Sequence, residues 1–150
     1  KQKIKQSVFF NQKEERCKKI SEYLLFTYGG ELELLFSKDK KILREELLKL
    51  KGIGDETADS IILYAAEKTE FVVDTYTKRI YSRLKIVEEK ISYDDLKKYI
   101  INEIPEDLLT YQEFHGLIVL LGKNICKKNP NCKECPLNSN CNYIVNKNIY

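Results

Sequence analysis

The feature that most constrains the fold is a pair of glycines one residue apart, Leu50-Lys51-Gly52-Ile53-Gly54, set between two segments of helical periodicity. Upstream, Asp39 to Leu50 places Ile42, Leu43, Leu47 and Leu50 at helical spacing; downstream, Asp55 to Ala66 does the same with Ala58, Ile61, Ile62 and Ala65. Glycines so placed accept φ > 0 and leave no Cβ between the backbone and an approaching surface. The second helix starts directly after them, so its unpaired N–H groups face outward, an arrangement suited to a phosphate. Lys51 adds Coulomb attraction, and Ile53 is expected to tuck between the two helices. A glycine at an ordinary helix C-cap reads the same way in isolation, and both readings stand at this point.

The same periodicity runs through the rest of the chain. Val8 to Tyr28 carries Cys17, Ile20, Tyr23 and Leu24 among lysines and glutamates and stops at Gly29-Gly30, which places Cys17 in the core. A β-branched run, Phe71-Val72-Val73, leads into Asp74 and a helix from Thr75 to Arg83. Ser92 with Asp95 reads as a variant capping box opening a helix that Pro105 ends. Asp107 to Gly122 is the last long helix, with Leu117, Ile118, Leu120 and Leu121 expected as its buried part. No stretch alternates long enough for a sheet and no repeat is visible, so the fold class is all-α.

With 150 residues the chain fits one domain, or one main domain with a small appendage. A net charge of +3 is not that of a polycation, so any grip on nucleic acid rests on locally placed Lys and Arg. No apolar run is long enough to span a bilayer, and no secretory signal pattern is present. The chain starts at Lys1 rather than Met, from which N-terminal helices of a longer protein are expected to be missing.

Two further groups bear chemistry. Asp74 stands where an apolar run becomes a helix; aspartate there is a good N-cap and needs no chemistry to explain it. The functional alternative needs partners in space. Of five cysteines, four crowd into Cys126, Cys132, Cys135 and Cys141, with gaps of five, two and five residues. Such a terminal group reads as a metal or cluster site in a reducing cytosol rather than as disulfides. Zinc is the ordinary occupant of four cysteines, but common zinc folds use two Cys-x-x-Cys pairs and only one is present.

Taken in order, Leu50-Lys51-Gly52-Ile53-Gly54-Asp55-Glu56-Thr57-Ala58, Val72-Val73-Asp74-Thr75 and the cysteine group resemble the endonuclease III-like superfamily of helix-hairpin-helix DNA glycosylases. The resemblance runs from the Asp39 helix to Cys141. It implies a helical bundle with a small C-terminal 4Fe–4S loop, divided as a glycosylase domain at 1–122 and a cluster loop and tail at 123–150. It implies Asp74 as the catalytic carboxylate, stabilising positive charge on the deoxyribose as the base leaves and positioning or deprotonating water. DNA contacts are expected at Lys51, Gly52, Ile53, Gly54, Glu56 and Thr57. Lys127 and Lys128 in the cluster loop are expected to face phosphates, though a solvated charge run reads equally well. The four cysteines would hold a 4Fe–4S cluster in preference to zinc. The family's first gap is one residue longer, a departure that shortens a loop without removing a ligand, and Pro136 after the third cysteine suits such clusters.

Family members that also cleave the strand carry a lysine where this chain has Glu56. A carboxylate forms no imine, so a monofunctional glycosylase is expected. Gly-Ile-Gly-Asp-Glu-Thr-Ala-Asp, Val-Val-Asp-Thr-Tyr, Phe114-His115-Gly116 and the early Phe10-Asn11-Gln12-Lys13 are similar to the 3-methyladenine glycosylase branch, implying an alkylated purine as substrate. The expected partner is double-stranded DNA containing a damaged base, with no membrane, a monomer at full length, in the cytoplasm at the nucleoid. A mismatch or oxidised-base glycosylase and a non-catalytic hairpin DNA-binding module are the competing readings; a ferredoxin-like electron carrier is weaker. His115, the only histidine, reads as packing, and Asp55 and Asp59 as the start and surface of the second hairpin helix.

Overall fold

A computed structural model describes residues 10–145. Its elements are α1 (Phe10–Tyr28), α2 (Leu32–Phe36), α3 (Lys40–Leu48), α4 (Asp55–Ser60) continuing as a π-turn (Ile61–Ala65), α5 (Thr75–Arg83), α6 (Tyr93–Glu103), α7 (Leu108–Asn124), two 3-10 turns (Cys132–Glu134 and Asn138–Asn140) and α8 (Asn142–Val145). Among the described residues there is no strand, in agreement with the all-α expectation. Val8, where periodicity suggested the first helix begins, lies outside the described residues. The side chains of Phe10, Asn11 and Gln12 do too.

The chain divides into two compact units, between Ala66 and Glu67. In the first, Leu35, Leu43, Leu47, Ile53, Ala58 and Ile62 form the core, with Ile20, Leu24 and Tyr28 packed against it from α1. Only the C-terminal half of α1 reaches this core. Cys17, a turn earlier, is therefore exposed rather than buried as its place in the pattern suggested. The end of α1 is closed by Gly29 and Gly30, at φ +62° and +90°, with the Gly30 N–H donating to the Leu24 carbonyl at 3.1 Å. Asp39 caps α3 by accepting from the Lys41 N–H.

The pairing of α3 with α4 includes an ionic clamp. Arg44 Nε donates to Asp59 Oδ1 at 2.6 Å, and its Nη2 donates to Asp55 Oδ1 at 2.7 Å. Asp59 has 0 % exposure, so the surface position expected for it is incorrect: the guanidinium of Arg44 supplies the partner without which a carboxylate is not buried. After Ser60 the backbone widens, with the Ala66 N–H bonding to Ile61 five residues back. The extra residue in that turn rotates the inward face, so Leu63 is buried and Ala65 is not.

In the second unit Phe71, Val72, Val73, Ile80, Leu96, Ile100, Tyr111 and Ile118 are buried. Ser92 caps α6 through the Asp95 N–H, and Asp107 caps α7 through the Thr110 N–H. The inward face of α7 is Tyr111, His115, Ile118 and Gly122, whereas Leu117 and Leu120 are exposed. These two leucines were expected inside; their apolar neighbours give no phase to the helix, because every residue from Leu117 to Leu121 is apolar. The phase is set instead at Gly122, where a Cβ would lie 2.6 Å from Tyr76 Cβ. Only glycine lets α5 and α7 approach so closely.

Candidate functional site

The hairpin is a tight turn, with the Ile53 N–H donating to the Leu50 carbonyl at 2.9 Å. Gly52 has φ +95°, in the region that favours glycine. Gly54 does not: it is extended at φ −106° and ψ −178° and forms the N-cap of α4 without a side-chain bond. What distinguishes Gly54 is space, since a Cβ there would meet nothing within 4 Å. The two glycines thus serve different ends, one to make the turn and the other to leave bare backbone. Ile53 is buried in the core, as expected, and Lys51, Glu56 and Thr57 are exposed around the turn.

Asp74 is the N-cap of α5 and is only 8 % exposed. Its Oδ1 accepts from the Thr77 N–H at 2.7 Å and from the Thr77 hydroxyl at 2.8 Å. The other oxygen, Oδ2, lies 3.9 Å from His115 Nε2. Burial pushes the His115 imidazole below its ordinary value, and the charge of Asp74 opposes this less strongly. A neutral imidazole thus stands beside the carboxylate near pH 7. One oxygen is fixed by Thr77, so the cap engages only one of the two carboxylate oxygens.

Cys126, Cys132, Cys135 and Cys141 line a single small pocket with Arg83, Ile125, Pro130 and Tyr143. Among the described residues no group of three or more His, Cys, Asp or Glu is placed to hold one metal ion. The four thiols that line this one space are soft donors, the ligand type that suits zinc or an iron–sulfur cluster. Burial, and then the neighbouring thiols of Cys141, Cys135 and Cys126, push the Cys132 thiol up, with Arg83 acting the other way. Four thiols so close need a shared cationic centre to be held as thiolates.

Two arginines that the sequence reading left without a role hold this tail. Arg79 Nε donates to the Cys126 carbonyl and its Nη2 to the Gly122 carbonyl, both at 2.8 Å. Arg83 Nη1 donates to the Lys127 carbonyl at 2.6 Å and reaches Cys126 Sγ at 3.2 Å, while its guanidinium stacks on Tyr143. Their four-residue spacing on α5 puts both on one face, which was the available signal. Lys127 and Lys128 are exposed, with their backbone rather than their ammonium groups tied to Arg83. The structure therefore brings together the four cysteines, and Asp74 with His115; the hairpin belongs to the other unit.

Residues 36–64 match the model of the helix-hairpin-helix motif. A protein of Methanocaldococcus jannaschii that carries the name "Putative DNA repair glycosylase MJ1434" is 43% identical over 142 residues, covering 94% of this chain and 64% of that protein. Endonuclease III of Thermotoga maritima is 35% identical over 141 residues, covering 93% and 61%. Among solved structures, a non-covalent endonuclease III–DNA complex aligns with a TM-score of 0.79 at 26% identity, over 97% of this chain and 64% of that one. The chain spans less than two thirds of the length of these relatives.

Proposed function

The chain belongs to the endonuclease III-like helix-hairpin-helix DNA glycosylase superfamily, and from that premise we propose that it carries the reaction centre of a base-excision glycosylase. The observation that carries this reading is Asp74: a nearly buried carboxylate with one oxygen fixed by Thr77. A bare-backbone hairpin precedes it in the chain and a four-thiol pocket follows it. The duplex docks with its phosphates against Gly54 and Lys51, and the damaged base is flipped out.

As the C1′–N bond lengthens, positive charge builds on the deoxyribose, and the Asp74 carboxylate stabilises it. Water adds to C1′ and gives up its proton to the Asp74 carboxylate, the bonding electrons leave with the base, and an abasic site remains. Thr77 keeps the carboxylate oriented while this happens. Glu56 occupies the place of the strand-cleaving lysine and cannot form an imine, which supports base removal without strand cleavage. An alkylated purine, of the 3-methyladenine type, suits this machinery because such a base already carries positive charge and leaves without an amine nucleophile.

Cys126, Cys132, Cys135 and Cys141 would hold a 4Fe–4S cluster in the segment that follows Gly122. When bound, the cluster supplies a covalent cross-link to this tail and no step of the base-release reaction. The protein acts on double-stranded DNA, as a monomer, where the cell keeps its DNA in the cytoplasm. Base release from duplexes carrying 3-methyladenine, a mismatch or an oxidised base is the test. Asp74→Asn is expected to lower release by about 10²-fold or more at similar DNA affinity. Unchanged release would leave only a hairpin DNA-binding module.

A further inference from the structure

The N-terminal half of α1 has no part in the reading above, yet its basic face lies against the hairpin. The Arg16 side chain runs across Gly52: a Cβ on that glycine would lie 2.9 Å from Arg16 Cγ and 3.0 Å from Nε. Gly52 is favoured by its φ of +95°, and the arginine passes over the space left by its missing Cβ. Lys19 stands one turn further along the same face of α1. Arg16, Lys19 and Lys51 line one groove with Glu15 and Gly52.

Three cations face one carboxylate there. Glu15 is bonded to Lys19 at 2.6 Å. Lys19, through that bond and its charge, holds the Glu15 carboxyl below its ordinary range, with a smaller contribution from Lys51. The positive potential of the groove is therefore felt by the acid already in it.

We propose that Arg16, Lys19 and Lys51 form a second phosphate seat beside the hairpin, taking a phosphodiester of the same DNA duplex, with Glu15 as the resident anion that it displaces. The inference rests on the DNA-binding reading of the hairpin. A guanidinium laid over a glycine is already oriented and presents a planar fork to a phosphate. The bare backbone at Gly54 lets a duplex come close enough to reach the groove's edge. The contact is sequence-independent, because a phosphate carries no base information.

The test is anisotropy of a labelled undamaged duplex with the full chain over a range of salt. Arg16→Gln and Lys19→Gln are each expected to weaken binding several-fold and to reduce the slope of log affinity against log salt by about 0.9. Arg16→Lys should keep the slope. Lys18→Gln, on the same helix but outside the groove, should leave both unchanged. Glu15→Gln should tighten binding, a gain that loss of folding cannot produce. If Arg16→Gln and Lys19→Gln keep the wild-type slope while Lys51→Gln lowers it, the seat is overturned and the hairpin reading stands. If the unaltered chain shows no salt-dependent binding, both fall together. Failure of Glu15→Gln to tighten binding overturns displacement.

Discussion

Asp74 and Arg83 occupy the two ends of one nine-residue helix, the carboxylate capping its first turn and the guanidinium reaching from its last residue to the Cys126 sulfur at 3.2 Å. At about 1.5 Å per residue, α5 is a rigid strut of ~13 Å between the capping carboxylate and the cysteine tail. Disturbing the tail should therefore be felt at α5 before it is felt elsewhere.

Arg83→Ala removes two donations to carbonyls and the contact with Cys126. Bonds of this charge-assisted kind are worth about 1.5–3 kcal/mol each, without simple additivity. The variant should lose roughly that much stability in denaturant unfolding. Amide exchange should speed up across residues 126–143 while the hairpin helices keep their protection. Exchange unchanged in the tail would show that Arg79 alone suffices.

Thr77 is fully buried and gives Asp74 both a backbone and a hydroxyl donor. Thr77→Val keeps the shape and the backbone bond and removes the hydroxyl. As a positioning residue, Thr77 should act on kcat with KM nearly unchanged, and Thr77→Ser should restore the rate. A fall in both variants alike would point to packing rather than orientation.

Local rules made much of this legible. The caps at Asp39, Asp74, Ser92 and Asp107 and the turn at Gly52 are each decided by residues within a few positions, so the sequence states them directly. The cysteine grouping is equally local. What was not legible depends on partners far along the chain. Asp59 is buried because Arg44 reaches it, Cys17 is exposed because the core ends a turn away, and Leu117 is outside because Gly122 meets Tyr76. Arg16 over Gly52 is of the same kind, as thirty-odd residues separate the two.

Gly122→Ala tests the close approach of α5 and α7. The added methyl would overlap the Tyr76 side chain at 2.6 Å, a contact that neighbouring backbone must relieve. Overpacking of this sort costs about 1–3 kcal/mol, and adding Tyr76→Gly, which removes the Cβ as well as the ring, should recover part of the loss. No recovery in the double variant would place the strain elsewhere.

His115 gives a pH test with a definite sign. Burial depresses its folded-state pKa below the ordinary imidazole value of 6.5, so the unfolded chain binds the extra proton more readily. The stability it contributes is present above that value and is lost as pH falls through the depressed folded-state pKa. Unfolding free energies of the parent and of His115→Gln should therefore differ by a constant above pH 6.5. Below it, the parent should lose stability relative to the variant. A difference independent of pH would mean that the imidazole is solvated in the folded chain.

Glu56 gives a test of the proposed base removal without strand cleavage. A carboxylate two residues after Gly54 offers no amine to C1′, so borohydride added during turnover should trap no covalent protein–DNA adduct. Base release should be revealed only after alkali cleaves the abasic site. Glu56→Lys places an amine at that position on the exposed first turn of α4. If the hairpin delivers the sugar there, this variant should become trappable while Asp74 remains necessary. An adduct with the unaltered chain would show that another lysine attacks the sugar, with Lys51 first to be replaced.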